Sequence, residues 1–507
     1  MEGYRIGRIS GPWINFTPPI RGGLFHCSRK HKEAGFIDEG VGLDTESSSC
    51  SSGEEDGSIK LEINAVVAAN AIIRAEHLLT QRSTRSTSGL RSSVVHDSAL
   101  NLASDTHEVD LSKLTPEAYT SAIEQQEIDA DIAKYPSVDP ETQRRIAEKY
   151  QELHETIRAK GLYHCSYSAY VYECLRYTTI FVCFLTALHF EYYILSSMLL
   201  GLFWHQIMFT AHDAGHLGIT HSFLVDTFIG MVIADLGCGL SIGWWKSSHN
   251  VHHLVTNSPE HDPDIQNVPV LATSPSFFRS LHSTYYDFDF KWDRSADFMV
   301  KIQKYSYYPI MCIARFNLYI LSWHFLLKKK SPSMGARSWT RPMEILLMIG
   351  YWYWFGYRLV YLSIPTIPLR LAFVLISHIV TMPLHVQITL SHFAASTADL
   401  GESESFAQKQ LRTTMDVDCP PWLDFIHGGL QFQAVHHLFP RIPRHNLRET
   451  QTLVMRFCHQ VGIEYRILGF LEGNQKVLSR LGQVSKQLEI LLECQKHMAQ
   501  TGESGLH

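Results

Sequence analysis

Residues 192–216 read Tyr-Tyr-Ile-Leu-Ser-Ser-Met-Leu-Leu-Gly-Leu-Phe-Trp-His-Gln-Ile-Met-Phe-Thr-Ala-His-Asp-Ala-Gly-His, an apolar run that closes on two histidines, His212 and His216. The run Tyr192–Ala211 is about long enough to cross a bilayer core of roughly 30 Å at about 1.5 Å per helical residue. A second run, Cys174–Phe190, precedes it with only Glu191 between. So short a turn makes a hairpin whose outer ends face one side. Two further histidine clusters follow, His249-Asn250-Val251-His252-His253 and Gln433-Ala434-Val435-His436-His437. Whatever the three clusters do together requires them on the same side.

Working outward, Met343–Leu362 and Leu369–Leu390 form a second hairpin across the Pro-rich turn Ser363–Pro368. Residues 309–327 are apolar but interrupted by Arg315 and Asn317, and Lys328-Lys329-Lys330, Arg337 and Arg341 follow. An interfacial helix there keeps the basic loop inside and all three clusters on one side. The Gly-rich stretch 223–245, with Asp226 and Asp235, is placed at the interface or in a protein-lined bend. The fold class expected is an all-α integral membrane protein. It has four transmembrane helices in two hairpins, interfacial helices and a cytosolic helical cap, with both termini in the cytosol.

The 507 residues carry a net charge of −6 with no basic block, which argues against a nucleic-acid partner. Ten cysteines lack any CxxC pair, which argues for reduced thiols rather than a disulfide framework or zinc ribbon. No cationic segment followed by an apolar one marks a cleaved signal peptide. Residues 24–107 are a Ser-rich insert expected to be disordered, with one helical stripe at 61–81. Thr115-Pro116 and Asp139-Pro140 read as helix starts in a cytosolic helical linker, 108–160. The membrane domain is taken as 161–470 and a C-terminal helix as 471–507, whose stripe Val477, Leu481, Val484, Leu488, Leu491 reads as packing.

Histidines at i, i+3 and i+4 project from one helix face. The clusters supply seven imidazoles at ligand spacing among the chain's 28 histidines. Seven exceed what one ion of about six ligands takes, so a two-metal centre follows. A single such pair arises by chance in a His-rich chain; the three clusters together do not. HExxH is absent, against a zinc hydrolase. An adiponectin-receptor-like zinc protein needs about seven spans, against four here. Iron held by imidazoles activates dioxygen, and a site at the membrane implies a long-chain lipid substrate.

The three boxes resemble those of the membrane fatty-acid desaturase superfamily. Gln433, in place of the first histidine of the third box, is similar to the front-end branch. Gly161-Leu162-Tyr163, Glu260-His261-Asp262-Pro263-Asp264-Ile265, Leu390-Ser391-His392-Phe393, His427-Gly428-Gly429-Leu430-Gln431-Phe432-Gln433 and Leu438-Phe439-Pro440-Arg441 resemble the fungal sphingolipid 8-desaturases. The resemblance implies two iron ions held by His212, His216, His249, His252, His253, His436 and His437. Gln433 takes the eighth box position, and His392, just after the last span, acts as a further ligand. It implies dioxygen and electrons from cytochrome b5 and its NADH-dependent reductase. Two hydrogens leave adjacent CH2 groups of a sphingoid base or ceramide at position 8, in the endoplasmic reticulum membrane. Asp213, Asn250, Asp262 and Asp264 are partners for imidazole N–H groups, or cap and turn residues. Residues 1–23 resemble only the tail of the cytochrome b5-like domain that front-end members carry. No haem-binding HPGG occurs, so no haem is assigned to this chain. Either the sequence is truncated at its N-terminus or a separate cytochrome b5 supplies the electrons. The alternatives are the same chemistry, or hydroxylation, on a fatty acyl chain and, from another class, a catalytically idle membrane metal-binding protein.

Overall fold

The computed structural model describes residues 116–328 and 338–501. The expected b5-like remnant, the Ser-rich insert with its 61–81 stripe, and most of the basic loop lie outside those residues. The described chain is mostly helical. Its only strands there are two small pairs, Leu281–Ser283 with Phe288–Phe290 antiparallel and Asp416–Asp418 with Ile467–Gly469 parallel.

Helix α1 is Pro116–Lys134 and α2 is Pro140–Ala159. Asp139 caps α2, accepting from the amides of Glu141 and Thr142, with Pro140 in the first turn. Helices α3 (Tyr167–His189) and α4 (Tyr193–Gly215) form the first hairpin. Its outer ends meet where Tyr170 donates to Asp213. Helix α5 (Phe223–Gly230) continues as a π-helical segment, Met231–Gly237, and then turns through 115° into α6, Ile242–Leu254. His216 before this bent pair and His253 at its end have rings 4.8 Å apart. The pair therefore returns to the face it left, as a re-entrant bend lined by protein.

Among the described residues, four helices are long and apolar enough to cross a membrane: α3, α4, α7 (Arg294–Leu327) and the pair Ile367–Leu390. The pair is α9 (Ile367–Ile379) followed by α10 (Met382–Leu390). The third of these departs from expectation. Residues 309–327 are part of one 34-residue helix, uninterrupted at Arg315. The guanidinium is buried, donates to the Cys238 carbonyl and the Tyr319 hydroxyl, and lies 4.3 Å from the Trp204 ring centre. Its charge is absorbed by protein, so it breaks nothing. Conversely, Met343–Leu362, expected as a span, forms α8 (Thr340–Tyr351) continuing as a π-helix, Trp352–Ser363, and neither part alone has span length. Contacts still relate α7 to the face carrying the histidines. Tyr307 bonds Thr389, three residues before His392, and Ser322 bonds the amide of Ser241, the cap of α6.

The linker helices are more than a lead-in. Ile146, Tyr150, Leu153 and Ile157 of α2 share one buried cluster with Phe432, Val435 and Leu438 around the third box. Tyr150 donates to the Leu438 carbonyl. The C-terminal helix, Phe470–Thr501, buries its expected stripe with Val386, Leu390 and Phe393 beside His392. Burial of apolar stripes, at about 25 cal/mol per Å2, thus holds the cap onto the spans.

Candidate metal centre

Helix α4 delivers His212 and His216 one turn apart at its end, their ring centres separated by 4.8 Å. Helix α6 delivers His249, His252 and His253, with Ser241 capping its first turn by accepting from the amide of Trp244. His392 follows α10. Gln433, His436 and His437 lie on the short helix Gln433–Leu438. That helix follows a tight turn at Gly428 and Gly429, both with positive φ. A Cβ on Gly428 would fall 2.1 Å from the Phe209 ring of α4, so only glycine lets the turn close. All nine expected site residues are brought together. His212 is half-buried and the other eight are buried.

Two groups of convergent ligand atoms result, each within 4.8 Å of one another: His212, His216, His249 and His436, and His252, His392 and His437. A third set, His249, His252 and Asp264, overlaps both. His253 stands between the groups. Its Nε2 is 3.1 Å from that of His249, and its ring stacks 4.2 Å from His437. Gln433 joins the second group, its amide 3.3 Å from His392 Nε2 and its Oε1 buried without a partner.

The donor set fits a metal. Buried polar atoms are almost always hydrogen-bonded. Yet Nε2 of His212, His216, His436 and His437, and Nδ1 of His253 and His392, are buried with no partner among the described residues. Burial first, and the neighbouring imidazoles second, hold His216, His249, His253, His392, His436 and His437 well below the ordinary histidine range. They are neutral at pH 7, which keeps a ring lone pair available. His252 goes the other way. Burial pulls it down, but the Asp262 and Asp264 carboxylates raise it to about 9.

The supporting shell is only partly the expected one. Nδ1 of His252 lies 2.8 Å from Asp262, and Nδ1 of His249 lies 3.5 Å from Asp264. These contacts aim the opposite nitrogens inward. Asn250 is exposed and serves no histidine in this way. Asp213 pairs mainly with Arg444, which also bonds Glu173, Tyr177 and Thr210. It therefore docks the segment after the third box onto α3 and α4. Gln410 was not anticipated. Its Oε1 lies 2.9 Å from His437 Nδ1 and its Nε2 donates to the His253 carbonyl, so it bridges the second and third boxes. Its local sequence, Phe406-Ala407-Gln408-Lys409-Gln410-Leu411, is that of an ordinary amphipathic helix and carries no signal of this role. Trp245, likewise unanticipated, stacks on His249 with ring centres 4.4 Å apart, packed against Gly215.

The family model described as fatty acid desaturase matches residues 189–469. The chain belongs to the fatty acid desaturase family. Among similar curated proteins is the Delta 8-(E)-sphingolipid desaturase of Emericella nidulans, 48% identical over all of this chain and 87% of that protein. Those of the same description from Kluyveromyces lactis and Candida albicans are 45% and 43% identical. The former covers 98% of this chain and 83% of its own length. The latter covers 97% and 86%. The matched span of this desaturase contains all three boxes, His392, Arg444 and its partner Asp213.

Proposed function

We propose that this desaturase introduces a double bond at position 8 of the sphingoid base of ceramide, using two iron ions, dioxygen and electrons from reduced cytochrome b5. The observation that carries the substrate is the full-length likeness to fungal enzymes of that activity, which extends far beyond the boxes. The two-ion reading is supported by the division of the imidazoles into two groups bridged by His253. His212, His216, His249 and His436 hold one ion. His252, His392 and His437, with Gln433, hold the other. Once bound, the metal pair would supply, with dioxygen and the two cytochrome b5 electrons, the oxidising power to take one hydrogen from each of two adjacent CH2 groups, the two oxygen atoms leaving as two waters with two protons drawn from solvent. The chain's own residues place one carbon beside that centre and exclude its neighbours. Asp262 and Gln410 fix which ring nitrogen of His252 and His437 faces inward. The endoplasmic reticulum, with the site towards the cytosol and the b5 reductase as electron source, completes the proposal.

Expression in a host that lacks sphingoid-base desaturation, followed by lipid analysis, tests it. New unsaturation at position 8 is expected. New unsaturation confined to fatty acyl chains, or none with dioxygen and cytochrome b5 supplied, overturns the substrate. Metal analysis of the purified protein is expected to give two irons per chain.

A further inference from the structure

Below the metal centre lies a second set of buried histidines that the box chemistry does not use. His205 stands seven residues before His212 on α4, two helical turns or about 10 Å away on the same face. His385 stands seven residues before His392. His427 ends the turn Asp424–His427, beside Gly428, whose backbone packs on Phe209, and the Phe209 ring in turn is 5.2 Å from that of His205. Phe209 also packs with Leu384, the neighbour of His385, and with Leu430. The three imidazoles are near enough to interact electrostatically, His205 with His427 and His385 with His205. Each is more than nine-tenths buried. Among the described residues, Nε2 of His205 has no partner, nor has Oε1 of the nearby Gln431.

The segment around His427 lies along a span. Gln206 of α4 donates to the Phe425 carbonyl, and Arg176 of α3 stacks over the Phe425 ring at 5.2 Å. Its outer surface is apolar: Trp422 is 70% exposed and Leu471 76%, with Phe425, Ile426 and Phe470 exposed beside them. Aromatic residues presented at the edge of a span suit the membrane interface. Behind that edge, an unpartnered imidazole nitrogen in an apolar wall costs free energy unless a donor or acceptor meets it.

We infer that His205, His385 and His427 form a subsite for the hydroxyl and amide groups at the polar head of the sphingoid base. The base enters past the Trp422–Phe425 edge, and its chain runs from the subsite to the metal centre. This inference rests on the proposed substrate. Its geometry sets the position of reaction by length. Carbon 8 lies five carbon–carbon bonds beyond the hydroxyl-bearing carbon 3, about 6 Å for an extended chain. The two-turn separation of about 10 Å exceeds that length by only the contact distances at its two ends, from imidazole to hydroxyl and from metal centre to carbon 8.

The test compares the full-length enzyme with His205→Leu, His385→Leu and His205→Gln. Each is assayed on a ceramide and on the analogue lacking the head-end hydroxyl at carbon 1, and separately on one lacking that at carbon 3. Wild type is expected to prefer the hydroxylated substrate by about tenfold or more in kcat/KM, because a site built for a hydroxyl leaves its polar groups unpaired with the analogue. The leucine variants are expected to lose that preference to within about twofold, chiefly through KM, and to scatter the double bond to neighbouring positions. Iron content should be unchanged. His205→Gln, which keeps hydrogen-bonding capacity, is expected to retain part of the preference. Leucine variants that keep wild-type preference and position, or a His205→Gln variant that loses the preference as fully as His205→Leu, overturn the subsite. A wild type that makes no unsaturated sphingoid base overturns the substrate reading first, and the subsite with it.

Discussion

Asp262 divides its carboxylate between a histidine and the backbone. Oδ2 meets His252 Nδ1 at 2.8 Å and the Asn257 amide at 2.7 Å, while Oδ1 accepts from the Asp264 amide. The backbone bonds fix the carboxylate, and the carboxylate fixes the ring. Asp262→Asn keeps the shape but removes the charge, so iron affinity is expected to fall about 10- to 100-fold with the protein still inserted in membranes. Metal titration of detergent-solubilised protein checks this. Gln410→Leu should act similarly through His437, since it removes a side chain that bonds both the second and the third box. His252→Ala removes the ligand itself. Turnover is expected to vanish while membrane insertion persists, as fractionation and lipid analysis would show. Equal iron content in His252→Ala and wild type would remove this residue from the ligand set.

At the scale of elements, two joints carry the site. The Gly428–Gly429 turn sets the third box against α4. Gly428→Ala places a Cβ in the Phe209 ring at a left-handed φ of 60°, and a loss of about 2 kcal/mol or more is expected in thermal unfolding. Phe209→Ala is itself destabilising, but in its background Gly428→Ala should cost less, because the clash is gone and only the backbone strain remains. The Arg444 joint ties the segment after the third box to Asp213 and Glu173. Arg444→Met strands two buried carboxylates, for which about 3–5 kcal/mol is expected. The boxes were legible in the sequence because metal-ligand spacing is local: one helix turn sets i, i+3 and i+4. These joints were not, because Arg444 and Gln410 work across 231 and 27 residues respectively. The same blindness affected α7. Arg315 looked like an interruption because its partners, Cys238 and Trp204, are remote in sequence.

The whole molecule gathers neutral imidazoles where water would otherwise charge them, and that has a consequence for stability. In the unfolded chain each histidine titrates near about 6.5. In the fold, burial holds His216, His249, His253, His392, His436 and His437 well below that value. A depressed histidine costs nothing while the unfolded chain is also neutral and penalises the fold once that chain takes up a proton, so stability is lost as pH falls below about 6.5. Each such group steepens the loss by up to about 1.4 kcal/mol per pH unit. His252, raised to about 9, has the opposite sign. Its contribution is present below about pH 6.5 and fades between there and about 9. Six groups against one decide the acid side. The metal-free desaturase in detergent is expected to lose stability steeply from pH 6.5 to 5.5 and, through His252 alone, to lose only about 1 kcal/mol from 7 to 8. Bound metal should add stability throughout but lose affinity over the same acid range, since protons compete for the ring nitrogens. Thermal unfolding of metal-free and iron-loaded protein across that range checks both. A flat acid limb in the metal-free protein would mean that the unpartnered nitrogens at the centre reach water and are protonated in the folded state.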